Sequence, residues 1–252
     1  MMAAILAGCG GGGEAPTAGE SGGSEMPAAS SAPVETVDPA TAATVTGKVN
    51  FQGQAPQRMR IRMDAVPACT EANPDPVYSD EVVVNDNGTL ANVFVYVKAG
   101  LEDRNFGVPS EPVVIDQRGC MYHPHVMGLV AGQKLQIKNS DPTNHNVHPM
   151  PMQNREWNKS QPPGAPDLSE QFPRPEVMIP VKCNVHPWMK AYVGVLRHPF
   201  FGVTDSAGNF EITGLPPGEY TIEAWHEKYG SSEQQITVGA SETKEIEFSF
   251  QG

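Results

Sequence analysis

Between residues 44 and 250 the chain is a succession of short runs rich in Val, Ile, Tyr and Phe, cut by Asn87-Gly88, Ala131-Gly132, Ala207-Gly208 and Pro216-Pro217-Gly218. Short runs bounded by Gly, Pro and Asn read as strands and turns, and no stretch carries the apolar period of a long amphipathic helix. This pattern constrains the chain to an all-β sandwich or barrel architecture. With 25 glycines and 24 prolines, the composition weighs the same way. Strands are expected at 44–51, 81–84, 91–98, 112–115, 125–130, 133–139, 177–182, 191–196, 202–204, 209–212, 218–226, 234–238 and 243–250. The stretch 149–175 is polar, Pro-rich and without period, and reads as a long surface loop.

Charge limits the partners. Seventeen basic residues against 29 acidic ones leave a net charge of −12, the wrong sign for a nucleic-acid surface, so no nucleic-acid partner is expected and a basic protein partner is. No segment has the run of roughly 20 apolar residues that crosses a membrane. Nothing pairs a nucleophile with a base, so the chain does not read as an enzyme.

The opening Leu6-Ala7-Gly8-Cys9 resembles the lipobox of bacterial lipoproteins. The resemblance implies that 1–9 is a signal-peptide remnant and Cys9 is lipidated. It also places the chain in the periplasm or at the cell surface of a bacterium, attached to the membrane through the lipid alone. Residues 10–43 are Gly, Ala, Ser, Pro, Glu and Thr with few large apolar residues, a composition expected to form a disordered, flexible tether.

The strongest chemical signal is Cys183-Asn184-Val185-His186-Pro187-Trp188-Met189, which puts three soft or borderline ligands in one turn after an apolar run. Thiolate and thioether sulfurs suit Cu(I), and imidazole suits both copper oxidation states. Structural zinc prefers four Cys or His ligands and rarely uses Met. A blue-copper centre needs a second histidine. His145 supplies one, in Asn139-Ser140-Asp141-Pro142-Thr143-Asn144-His145-Asn146-Val147-His148.

These two loops resemble those of the cupredoxin family, and the contracted cysteine loop is most similar to the amicyanin branch. The resemblance covers about residues 112–196 and implies a Greek-key β-sandwich with one type 1 copper. His145 and His186 would be its imidazole ligands, Cys183 its thiolate and Met189 its axial ligand. Asn146 would brace the ligand loops by hydrogen bonding, and His125, at the start of a strand at the copper end, could stand behind the ligands. In this fold the second histidine's edge reaches the surface in an apolar patch, which makes Pro187 and Trp188 candidate contacts for a redox partner such as a cytochrome or oxidoreductase.

Two further cysteines, Cys69 and Cys120, lie in the folded body, and in an oxidising compartment a disulfide between them is the expected reading. The competing reading groups Cys120, His123 and His125 as a second metal cluster. From Phe201 onward, Asp205-Ser206-Ala207-Gly208-Asn209-Phe210 and Gly214-Leu215-Pro216-Pro217-Gly218-Glu219-Tyr220 resemble the second half of the carboxypeptidase regulatory-like domain, a small transthyretin-like β-sandwich. Val45-Thr46-Gly47-Lys48-Val49 and Ala91-Asn92-Val93-Phe94-Val95 fit its first half. The expected arrangement is therefore a cupredoxin domain at 101–198 inserted into a regulatory-like sandwich split between 44–100 and 199–252; a plain tandem order is the alternative. The expected function is one-electron transfer. Copper capture or delivery, suggested by Met150, Met152, Met178, His123 and His125, is the second reading, and a non-redox β-module stapled by metal the third.

Overall fold

A computed structural model describes residues 33–252. Among the described residues the protein is all-β apart from one short helix, α1 (Pro67–Ala72). In chain order the first strands are β1 (Ala43–Gln52), β2 (Phe94–Ala99), β3 (Val113–Arg118), β4 (Met121–His123), β5 (Val126–Val130), β6 (Lys134–Asn139), β7 (His145–Pro149) and β8 (Lys159–Gln161). They are followed by β9 (Leu168–Gln171), β10 (Glu176–Lys182), β11 (Lys190–Leu196), β12 (Phe201–Val203), β13 (Asn209–Leu215), β14 (Gly218–His226), β15 (Gly230–Val238) and β16 (Thr243–Gln251).

Strands from 113–196 form two sheets, ordered β5-β11-β10-β7-β8 and β4-β3-β6-β9, which close on one core containing Ile115, Leu135, Val147, Val181 and Val193. Strands from both flanking segments form the other two, β13-β1-β16 and β12-β2-β14-β15, around Val45, Val95, Ile212, Ile222 and Phe248. The first strand of this second sandwich, β1, lies between two late ones. It runs parallel to β16 from Thr44–Thr243 to Gln52–Gln251 and antiparallel to β13. Its alternating burial is what a strand with one face on the core requires.

Four residues of β2, Phe94 to Val97, are buried in succession because both faces of the strand are covered. Val95 and Val97 enter the second sandwich's own core, while Phe94 and Tyr96 join Val126, Met178 and Leu196 in a third cluster that joins the two sandwiches. Glycines admit the aromatic rings. A Cβ on Gly194 would stand 2.5 Å from Phe94 Cζ, and one on Gly128 2.4 Å from Phe201 Cε2. The outer face of β5 is thus covered along its length, while on β11 Tyr192 is half-buried and Lys190 is exposed.

Several expectations need correction. The stretch 149–175 holds β8 and β9 and buries Phe172 against Trp157, so it is not a bare loop; its strands are too short and polar to show a period. No strand forms at 81–84, where Val84 makes only a single bridge to Leu90. Of the expected tether, residues 33–43 are held. Glu35 bridges to Phe106 and pairs with Arg104, Val37 packs on the core, and Ala43 begins β1. Residues 10–32 and Cys9 lie outside the described residues. Ile61, Met63, Val66, Cys69 and Val77, expected with the second sandwich, pack instead on the core of the first. The sequence gives no periodic pattern there because the segment is mostly coil.

Two buried histidines in the second sandwich make its stability acid-sensitive. His198 Nδ1 accepts from Phe200 N, and His226 Nδ1 accepts from Lys228 N and Tyr229 N, so each ring is neutral in the fold. Burial is the main cause that pushes each down to about 4. The unfolded chain takes up these protons near pH 6.5 and the folded chain does not, so their contribution is complete above about 6.5 and is lost as pH falls toward 4. Denaturant titrations should find stability falling by up to roughly 3 kcal/mol per histidine across that window. A flat profile would show that neither ring is held neutral.

Candidate metal centre

The loop between β10 and β11 closes on itself: Cys183 N donates to Met189 O at 3.2 Å and Met189 N to His186 O at 2.9 Å. Cys183, His186 and Met189 are thereby held in one tight turn. His145 opens β7, whose residues Pro149 and His148 pair with Val181 and Lys182 of β10. The chain enters β7 through a turn fixed by Asn139, whose Nδ2 donates to Thr143 O at 2.9 Å and whose Oδ1 accepts from Asp141 N.

These elements bring three of the four expected ligands to one point. His145 Nδ1 lies 2.8 Å from His186 Nδ1, and Cys183 Sγ lies 3.8 Å from His186 Nδ1. Donors of an ion held at about 2.1 to 2.3 Å in tetrahedral geometry stand about 3.4 Å apart, so the set fits a single metal. Met189 is fully buried in the same core cluster at the end of the turn. Two other groups of converging side chains, Cys69-Cys120-His186 and Cys120-Asp141-His145, overlap this one. Their cysteines are joined to each other as a disulfide and offer no thiolate. Cys183 is the free cysteine among the described residues, and it is buried.

Asn146 braces the two loops, its Oδ1 accepting from Asn184 N at 2.7 Å and lying 3.4 Å from Cys183 Sγ. Burial would raise the Cys183 thiol, yet its hydrogen bonds with His145 and with the backbone of Asn146, His186 and Val185 outweigh this and hold it below its ordinary value. The two imidazoles are pushed apart. Burial works against protonation of both, but Asp141 and Cys183 raise His145 above its usual value, while burial and the neighbouring His145 lower His186.

Asp141 was not among the expected site residues. Its Oδ2 receives both His145 Nε2 at 2.8 Å and Cys120 N at 2.7 Å, and its Oδ1 receives Gly119 N at 2.6 Å. A carboxylate behind a ligating imidazole fixes the tautomer that leaves Nδ1 free for metal. A carboxylate four residues before a candidate ligand in a turn was the available signal. Asp141→Ala should weaken metal binding by about 10- to 100-fold, read by competition with a chelator, since partners of this kind carry that much. Unchanged affinity would show that the backbone alone orients the ring.

Three expectations are corrected. His186 is only 1% exposed, so its edge is not a surface contact. Helix α1 brings Cys69 Sγ to 3.7 Å from His186 Nε2, and the disulfide to Cys120 holds it there. Trp188 is half-buried, donates Nε1–H to Cys120 O at 2.9 Å and lies against the His186 ring, so it packs the site; Pro187 alone of the two expected contacts is exposed. His125 does not stand behind the ligands: its Nδ1 meets Lys190 O and its Nε2 meets Glu227 of the second sandwich. His123 faces Arg118 O, so Cys120, His123 and His125 form no second cluster.

Residues 191–251 match the family of the carboxypeptidase regulatory-like domain. The matched part contains β12 to β16 of the second sandwich. Among solved structures, a copper-containing nitrite reductase from Thermus scotoductus is similar at 18% identity, over 40% of this chain and 25% of that one, with a TM-score of 0.31. An amicyanin variant in the Cu(I) state is similar at 21% identity, over 35% of this chain and 85% of that one, with a TM-score of 0.30. A purple cupredoxin from Nitrosopumilus maritimus is similar at 17% identity, over 33% of this chain and 98% of that one, with a TM-score of 0.29. No curated protein matches.

Proposed function

We propose that the protein is a one-electron carrier of the cell envelope that holds one type 1 copper through His145, Cys183, His186 and Met189. The observation that carries this reading is a buried free thiol converging with two imidazole Nδ1 atoms. Copper, when bound, supplies a one-electron couple; a Cys/His/Met donor set suits both of its oxidation states. The chain's own residues do the rest. Asp141 and Asn146 fix His145 and the Cys183 loop, and the disulfide and Trp188 exclude water from His186. With all four ligand residues at 2% exposure or less, no open position is left for a substrate.

Copper capture is less well supported by the geometry. Met178 is buried between the sandwiches, His125 is paired with Glu227, and Met152 is 95% exposed on its own loop; of that set, Met150 shares a groove with Cys183. The proposed location outside the cytoplasm draws on the Cys69–Cys120 disulfide and on the Cys9 motif. No helix among the described residues is long and apolar enough to cross a membrane.

The visible spectrum tests the proposal. Copper-loaded, oxidised protein should show an intense thiolate-to-copper band. Cu(II) bound at one equivalent without that band would overturn it.

A further inference from the structure

The two sandwiches leave one part of the outer face of the β5-β11-β10-β7-β8 sheet open, the end beside the candidate metal centre. There Lys182 of β10 stands directly opposite Lys190 of β11, and Pro180 stands opposite Tyr192 one row further along. Like charges directly opposite on neighbouring strands destabilise a sheet. Neither ammonium has an acceptor among the described residues, although the chain carries 29 acidic side chains that could supply one. The nearby acids are engaged elsewhere: Glu156 with His148, and Glu227 with His125.

Between these rows lies a groove of about 460 Å³. Its walls are Met150, Pro180, Pro187 and Tyr192, its rim carries Lys182 and Lys190, and the buried Cys183 borders it. Tyr192 leans on Trp225 of the second sandwich at 5.1 Å, so the apolar wall continues onto the other domain. An apolar centre inside a charged rim is the anatomy of a protein-docking patch. The opposite approach, by way of His186, is blocked by Cys69.

We propose that this groove docks an acidic redox protein, one that presents carboxylates around its own one-electron centre, and that the electron crosses at Cys183. The inference rests on the copper reading above. One electron leaves the metal site as the partner's centre gains one, or the reverse; no bond is made or broken and no proton moves. The chain's net charge of −12 does not oppose this at close range. In about 0.1 M salt charges beyond about 10 Å are largely screened, and the unpaired lysines at the contact decide the sign.

The test uses amide NMR of the labelled protein in about 0.1 M salt, metal-free and copper-loaded, with hexaglutamate as the carboxylate probe and hexacyanochromate(III) as a small-anion probe. Hexaglutamate should shift or broaden residues 148–150, 180–184 and 190–192. Lys182→Glu should weaken that binding about fivefold and slow oxidation of the Cu(I) protein by hexacyanoferrate(III), with the visible band unchanged. The same substitution makes an opposite-charge pair with Lys190, so the thermal midpoint should rise as binding falls, a combination that a merely structural lysine would not give. Peptide shifts at Arg58 and Arg118, or scattered over the surface, overturn the docking face. Hexacyanochromate binding in the groove without hexaglutamate binding overturns the protein partner in favour of a small anion. If hexaglutamate maps to the groove but copper-loaded protein is never coloured, the copper reading fails and the redox half of this proposal with it, while acidic docking stands.

Discussion

If the protein holds copper as proposed, Cys183→Ser should abolish the visible band of the copper-loaded protein while leaving it folded. A serine hydroxyl does not ionise at the pH where the Cys183 thiol, lowered by its hydrogen bonds with His145 and the loop backbone, gives up its proton to a metal. The charge transfer that makes the colour therefore has no donor. The fold survives because the site remains polar at that point: Asn146 Oδ1 lies 3.4 Å from the sulfur and can accept from a hydroxyl in its place. The loop is closed by Cys183 N to Met189 O and Met189 N to His186 O, bonds that do not involve the side chain. Visible absorption and far-ultraviolet circular dichroism measured on one sample check both halves. A blue species in the serine variant means that another sulfur ligates the metal, and the assignment of Cys183 falls.

How much of this was legible in the sequence depends on the kind of signal. Strands with one face on a core, such as β1 and β16, show their alternation directly. The run Phe94–Val97 of β2 and the run Val193–Leu196 of β11 show instead the continuous apolar text that two covered faces require. β8 and β9 were not legible, since three or four residues cannot establish a period. The short excursion through α1 was missed for the same reason, because six residues give no helical pattern and the segment is placed by a disulfide to Cys120.

The convergence of His145, Cys183 and His186 was legible because residue type and spacing are local. What surrounds them was not. Asp141 reaches His145 by the geometry of one turn, which spacing alone suggests but does not fix. The cover over His186 comes from Trp188, two residues on, and from the Cys69–Cys120 disulfide; that pairing was expected from the sequence, but its place over the histidine was not. That cover reverses the expected exposure of His186; Cys183 is as deeply buried, but it borders the groove of Met150, Pro180 and Tyr192.

The same cover gives the second large effect. Cys69→Ala together with Cys120→Ala removes a cross-link between residues 51 positions apart, and the chain-entropy treatment of such a loop puts the loss at roughly 4 kcal/mol. For a domain of ordinary stability, about 5 to 15 kcal/mol, that is a large fraction of the total, and denaturant unfolding should register it. The loss has a local consequence as well. Helix α1 carries no side-chain cap and no charge at either end that favours it, so its position depends on the bond from Cys69 and on the contacts of Asn73 with Cys69 O and Gly119 O. Without the bond, the segment opens more often and water reaches His186 Nε2. The ligand atoms themselves are untouched, so the visible band should persist while a chelator removes copper faster from the variant than from the parent. Stability equal to the parent's would show that the disulfide adds nothing to the fold. A folded variant without the band would show that Cys69 positions His186 instead of covering it.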